Sequence, residues 1–218
     1  QERVDQVKDL VNAFLTSKRG RVDSLELSLN AWHEYHRIAA AVIDAFGAGR
    51  DVADLRSQDF AELRTAIAKR VGVTTLKKYV TLTRAIFAWG YESELLEVPV
   101  RFGVDFERPS QRALRIARAE RGQKLIEAAD LRTLIDKATP QMKAMLLLGI
   151  NCAYGATDCS ELTRPALARP GWIELHRRKT GTPRRCPLWK ETSVALKAVR
   201  SVRPKPADAA DADCVLLT

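Results

Sequence analysis

A mainly helical chain in two parts, with one small antiparallel β-hairpin near the end, is the fold class this sequence predicts. Three observations predict it. Apolar residues recur at spacings of three and four through the first half, as on one face of a helix. Pro99, Gly103 and Pro109 then interrupt the pattern. Beyond Leu162 the period changes to two around Lys179-Thr180-Gly181-Thr182-Pro183, where Gly181 can supply the positive φ of a tight turn.

In order, Val4, Val7, Leu10, Val11, Phe14 and Leu15 define a first helix ending near Arg19-Gly20. A second is expected from about Asp23 to Phe46, closed by Gly47 and Gly49. A third, capped by Ser57 or Asp59, carries Phe60, Leu63, Ile67 and Val71 and stops at Gly72. The fourth, about Thr74 to Tyr91, sets Leu76, Tyr79, Val80, Ile86 and Phe87 on one side. Lys77, Lys78, Thr81 and Arg84 fall away from that side, as a polar face suited to phosphates.

Residues 98–111 read as a connection between domains. Arg108, Arg112, Arg115, Arg118, Arg121 and Lys124 follow, a basic stripe if helical and a basic strap if extended. Helices are then expected from Ala128 to about Ala138 and from Pro140 to about Tyr154, with Gly155 ending the second. Strands are expected at Trp172 to Arg178 and Arg184 to Leu188, with Pro187 suiting an edge. A last helix from Glu191 to about Val202 precedes a Pro/Ala/Asp-rich loop and the apolar Cys214-Val215-Leu216-Leu217. The division expected is 1–107, a basic linker 108–124, and 125–218.

Charge is uneven. The chain of 218 residues has a net charge of +9. Residues 1–107 hold 15 Lys+Arg against 16 Asp+Glu, a net of −1, and residues 108–218 hold 21 against 11, a net of +10. A surplus confined to one half suits a surface that faces a polyanion, nucleic acid first among them. No apolar run reaches the roughly 18 residues a bilayer span needs, and no signal peptide is visible. The expectation is a soluble cytoplasmic protein, nucleoid-associated when bound to DNA. Cys152, Cys159, Cys186 and Cys214 show no metal-ligand spacing. They read as reduced packing groups, with Cys152 and Cys159 two turns apart on one helical face.

Three segments, in order, resemble the tyrosine recombinase (phage integrase) family. Leu76 to Trp89 resembles the last long helix of the family's helical, SAM-like core-binding domain. Met145 to Leu162 resembles the helix leading into the family's G-L-R-x-S-E-L-type motif, and Arg177 to Leu188 the hairpin that carries its catalytic lysine. The resemblance implies a helical core-binding domain followed by the first part of a mixed α+β catalytic domain. It implies a protein that binds double-stranded DNA and cuts and rejoins it, in site-specific integration or recombination. The intact protein would act as a homotetramer, with no metal or other cofactor, and the chain by itself is compatible with a monomer.

By that resemblance Lys179 is the general acid that protonates the departing 5′ oxygen, and Glu161 is the motif's acid. Lys77, Lys78, Thr81 and Arg84 are the DNA-contact candidates of the first part. Arg177, Arg178, Arg184 and Arg185 are those of the second. Two departures stand out. Asp158 occupies the position of the first catalytic arginine, where a carboxylate would repel phosphate. The family's H-x-x-R motif and nucleophilic tyrosine have no match, so the chain is expected to be a truncated piece that does not cleave DNA alone. A catalytically inactive DNA-binding protein derived from a recombinase is the alternative, and a helical protein-interaction module a third.

Overall fold

The structure is a computed structural model, and it describes residues 4–122, 124–177 and 181–217. It divides into two compact units, Gln1–Gln123 and Lys124–Thr218.

The first unit contains α1 (Val7–Asp23), α2 (Leu29–Phe46), α3 (Ser57–Ala68), α4 (Val73–Glu92) and α5 (Gln111–Glu120). α1 buries Val7, Leu10, Val11 and Phe14 against α2 and α4, the three-and-four spacing that predicted it. Its end differs from expectation. Gly20 lies inside the helix, which runs on to Asp23, and α2 starts at Leu29 rather than near Asp23. An interior glycine costs only about 1 kcal/mol, less than the four buried side chains contribute. The reversal comes later, where Leu25 takes a φ of 62° and the Glu26 and Leu27 amides donate to the Arg21 carbonyl. Ser28 Oγ then caps α2 by accepting from the Ala31 amide.

α3 starts at Ser57, and Asp59 closes its first turn by accepting from the Arg56 amide at 2.7 Å. Arg50 grips the same carboxylate at 2.8 and 2.9 Å. Those bonds hold the Asp59 carboxyl below its usual range, the Arg50 hydrogen bond first and the Arg56 amide second.

The segment between α4 and α5 is packed rather than free. Phe106 is 0% exposed, with ring centroids 5.4 Å from Phe60 and 5.9 Å from Phe102. Its carbonyls are taken up in turn by helix side chains. Ser57 Oγ donates to the Arg101 carbonyl, Arg84 Nη1 to that of Phe106 at 2.8 Å, and Arg64 Nε to that of Glu107 at 2.9 Å. Gly103 is required there. Its φ is +73°, and a Cβ would sit 2.6 Å from that of Ser57.

The second unit contains α6 (Ala128–Lys137), α7 (Pro140–Cys152), a short α8 (Ala156–Ser160), β1 (Trp172–His176), β2 (Pro183–Pro187) and α9 (Lys190–Val202). α7 and α9 form its centre, with Ala144, Leu147, Leu148, Ala195, Leu196 and Val199 buried together. Val215 and Leu216 close the same core, and the Val215 amide donates to the Leu162 carbonyl at 2.8 Å.

Two expectations are corrected here. Gly155 does not end α7: Ala153 does, in the left-handed conformation at φ 52°, and Gly155 is the N-cap of α8. Cys152 and Cys159 therefore lie on separate helices rather than on one face, though both are buried and all four cysteines are free. The chain turns after Cys152 because Asn151 is anchored elsewhere. Its side chain donates to the Pro187 carbonyl at 3.0 Å and accepts from the Trp189 amide at 2.8 Å.

Replacing Phe106 tests whether this segment belongs to the core of the first unit. Phe106→Ala is expected to lower stability by about 3–5 kcal/mol, measured by chemical denaturation. A loss below about 1 kcal/mol, the range of surface changes, contradicts the packing described.

Candidate nucleic-acid interface

α4 is the element on which the first set of expected contacts sits. Its buried side holds Leu76, Val80, Thr83, Ile86, Phe87 and Gly90, and the predicted cations lie away from it. Their engagement differs. Lys77 is half-buried on the helix surface, and Thr81 Oγ1 donates to the Lys77 carbonyl at 2.8 Å. Lys78 Nζ reaches Glu34 of α2 at 2.7 Å. That hydrogen bond is the main cause holding the Glu34 carboxyl below its ordinary range. Arg84 is different in kind. Beyond its bond to the Phe106 carbonyl, its guanidinium stacks 4.6 Å from the centroid of Phe102, so it serves the first unit's own packing.

The second set sits on the hairpin. β1 and β2 pair antiparallel, with Trp172 opposite Pro187, Glu174 opposite Arg185 and His176 opposite Pro183. Arg177 closes the ladder, its amide donating to the Thr182 carbonyl at 2.9 Å, and Gly181 turns with φ +65°. Lys179 and Arg178 lie outside the described residues.

The period-two alternation separates the two arginines of β2. Arg185 is exposed and donates to Glu174 across the ladder at 2.9 and 3.1 Å, a cross-strand pair of opposite charge. Those two bonds are the leading reason the Glu174 carboxyl sits below its usual range. Arg169 joins the same carboxylate at 3.4 Å while its guanidinium lies 4.6 Å from the Trp172 ring. Arg184 points to the other face, its guanidinium 5.6 Å from the centroid of Tyr154. Sequence reasoning missed Arg169, because its partners Trp172 and Glu174 become neighbours only through the turn before β1.

Asp158 lies within α8, and Glu161 follows its last residue. Asp158 Oδ2 accepts from the Gly155 amide at 2.9 Å, so the carboxylate caps the helix it belongs to. Glu161 is half-buried at the helix's end. An open cleft of about 900 Å³ lies elsewhere, in the first unit, between Val4–Gln6, Asp51–Ser57 and residues 95–101. Asp5, Asp51 and Glu97 share its lining with Arg56 and Arg101, so it carries no surplus of cations for phosphate.

Beside Arg184 the hairpin meets the end of α7, where Cys152 is 4% exposed. Burial pushes the Cys152 thiol up to about 12, and the neighbouring Cys186 thiol acts in the same direction. Burial, with Asp158 adding to it, raises Cys159 to about 11. Burial likewise lifts the Tyr154 phenol above its ordinary value. A thiol raised on folding favours the folded state fully below its unfolded pKa of 9.0, and that advantage is lost as pH climbs towards about 12. Denaturant stability is therefore expected to fall between pH 9 and pH 11, and to fall less steeply in Cys152→Ala. Equal slopes for the two chains contradict the assignment.

Comparison with known proteins gives a likeness of fold. No protein-family model matches the chain, and no curated protein matches it. Among solved structures, the Tn1549 transposon integrase in complex with circular intermediate DNA superposes with a TM-score of 0.63 at 12% identity, over 99% of this chain and 72% of that one. A lysine-for-arginine variant of that integrase, also in complex with a circular intermediate DNA, gives 0.61 at 12% identity, over 94% and 68%. A mainly helical chain with one two-stranded antiparallel sheet is what the sequence predicted, and the resemblance to tyrosine recombinases holds as one of fold: the chain is built as the Tn1549 integrase is built.

Proposed function

We propose that the chain binds double-stranded DNA as part of a site-specific recombinase or integrase. The observation that carries this reading is a net charge of +10 confined to residues 108–218 of a fold shared with integrases solved on DNA. Residues 1–107 act as the core-binding domain, 108–124 as its basic extension, and 125–218 as part of a catalytic domain. Lys77, Lys78 and Thr81 contact the DNA backbone from α4, and Arg177, Arg178, Arg184 and Arg185 do so from the hairpin. Lys179 serves as the general acid of strand cleavage in the intact protein, which works in the cytoplasm as a homotetramer on DNA.

A second reading has a specific observation behind it. Asp158 stands where the family places an arginine, and its carboxylate is committed to the Gly155 amide. A carboxylate so held offers no cation to a phosphate. That favours a DNA-binding protein that does not cut, with Lys179 reduced to a backbone contact. Asp158→Arg in a protein extended to carry a tyrosine nucleophile would distinguish the two. Gain of covalent protein–DNA adduct supports a recombinase scaffold whose first arginine position has been lost.

Duplex binding over a salt series tests the DNA reading. Each neutralised phosphate contributes roughly −0.9 to the slope of log affinity on log salt. The parent chain is expected to show a steep negative slope, and Lys77→Ala/Lys78→Ala a slope shallower by about 1 to 2. Arg84 is left intact because its loss would also unseat the Phe106 carbonyl. Salt-independent binding, or none at 50 mM salt, overturns the proposal.

A further inference from the structure

α5 is an unusual helix for one that is folded. It has ten residues, and none of them is buried. Isolated helices of that length are marginal in water. Ala113, Leu114 and Ala117 are half-buried on the side towards α4. Arg112, Arg115 and Arg118 are exposed, the first two on the opposite side and Arg118 on its flank. They recur every three residues, so each is a surface neighbour of the next, and like charges at that spacing destabilise a helix.

Nothing within α5 relieves the repulsion. Glu120 is the single acid between Arg108 and Gly122, and its i−3 and i−4 positions are Ala117 and Ile116. Among the described residues none of the three arginine side chains makes an ion pair or a hydrogen bond. The helix is held instead from its N-terminal end. Ser110 Oγ accepts from the Ala113 amide at 3.1 Å, and the chain just before it is fastened through Phe106 and Glu107.

We propose that α5 is a second phosphate-binding ridge of the first unit, and that the backbone of duplex DNA supplies the anions this helix lacks. This rests on the DNA-binding reading and adds a site to it. The three guanidinium groups are spread over about 9 Å of helix at 1.5 Å per residue. A duplex strand carries a negative charge every 3.4 Å or so of axis, so several phosphates fall within that span. Arginine's planar fork suits them, each able to donate two parallel hydrogen bonds. Binding then removes the repulsion, and α5 becomes more stable on DNA than off it.

The test compares the parent chain with Arg112→Gln/Arg115→Gln/Arg118→Gln and with Arg112→Lys/Arg115→Lys/Arg118→Lys, on a mixed-sequence duplex from 50 to 200 mM salt. Glutamine is a good helix former and removes the repulsion, so the Gln variant is expected to melt at the same temperature as the parent or higher. It should nevertheless bind DNA more weakly, with a slope shallower by about 2.7. The affinity gap between the two chains should then shrink roughly 40-fold across that salt range. The Lys variant, which keeps the charge, should retain most of the slope. A Gln variant with the parent's slope overturns the inference and leaves the DNA reading intact, whereas a lower melting temperature assigns the arginines a structural role and overturns it too. A parent chain that does not bind the duplex overturns the DNA reading, and the inference with it.

Discussion

Phe106 sits fully buried against Phe60 and Phe102, and Arg84 both donates to its carbonyl and stacks on the ring of Phe102. This interlock joins α3, α4 and the segment ahead of α5 through a single aromatic cluster. Phe106 lies tilted against Phe60 and stacked on Phe102, contacts that add stability beyond their buried area, and the arginine supplies a partner to the carbonyl next to them. The cations of α4 and α5 take their position from it. α4 presents Lys77 because its other side is held down by Phe87, and α5 projects from a chain fastened at Phe106 and Glu107.

In the second unit the equivalent constraint is the bracket between the end of α7 and the hairpin. Asn151 bonds to residues on both sides of Leu188, and Arg184 returns to the ring of Tyr154. Cys152 is buried there and Cys186 packs partly buried against the same core, both free thiols serving as small apolar groups. A hairpin of two strands is marginal by itself. Seated this way it becomes a fixed support for the arginines that the alternation of β2 sends to opposite faces.

Much of the fold was legible because local pattern and tertiary packing agree. The stripes of α1 and α4 lie buried largely where their spacing places them. The hairpin follows from a change of period around Gly181. Misreadings came where a long-range contact overrode a local signal. Gly20 looked like a stop, yet four buried residues carry α1 past it. Gly155 looked like the end of α7, yet the reach of Asn151 to Pro187 and Trp189 fixes the turn at Ala153. Arg84 could not be distinguished from Lys77 by pattern, because the carbonyl and ring that engage it belong to a segment about twenty residues away. The capping role of Asp158 was not legible, since capping depends on a helix start the sequence did not mark.

Charge, in contrast to packing, is readable as composition but not as availability. Of the cations expected at the interface, Lys78, Arg84 and Arg185 are each engaged within the chain, and exchanging Glu34 or Glu174 for phosphate is the step DNA binding would require of two of them. Hydrogen exchange of the backbone amides, with and without a duplex, tests most directly whether the faces these interlocks display are the ones that meet DNA. The account predicts slowed exchange in residues 77–84, 111–121 and 172–187, with α1 and the buried centre of α7 unchanged. Protection confined to other segments, or none despite binding, would contradict it.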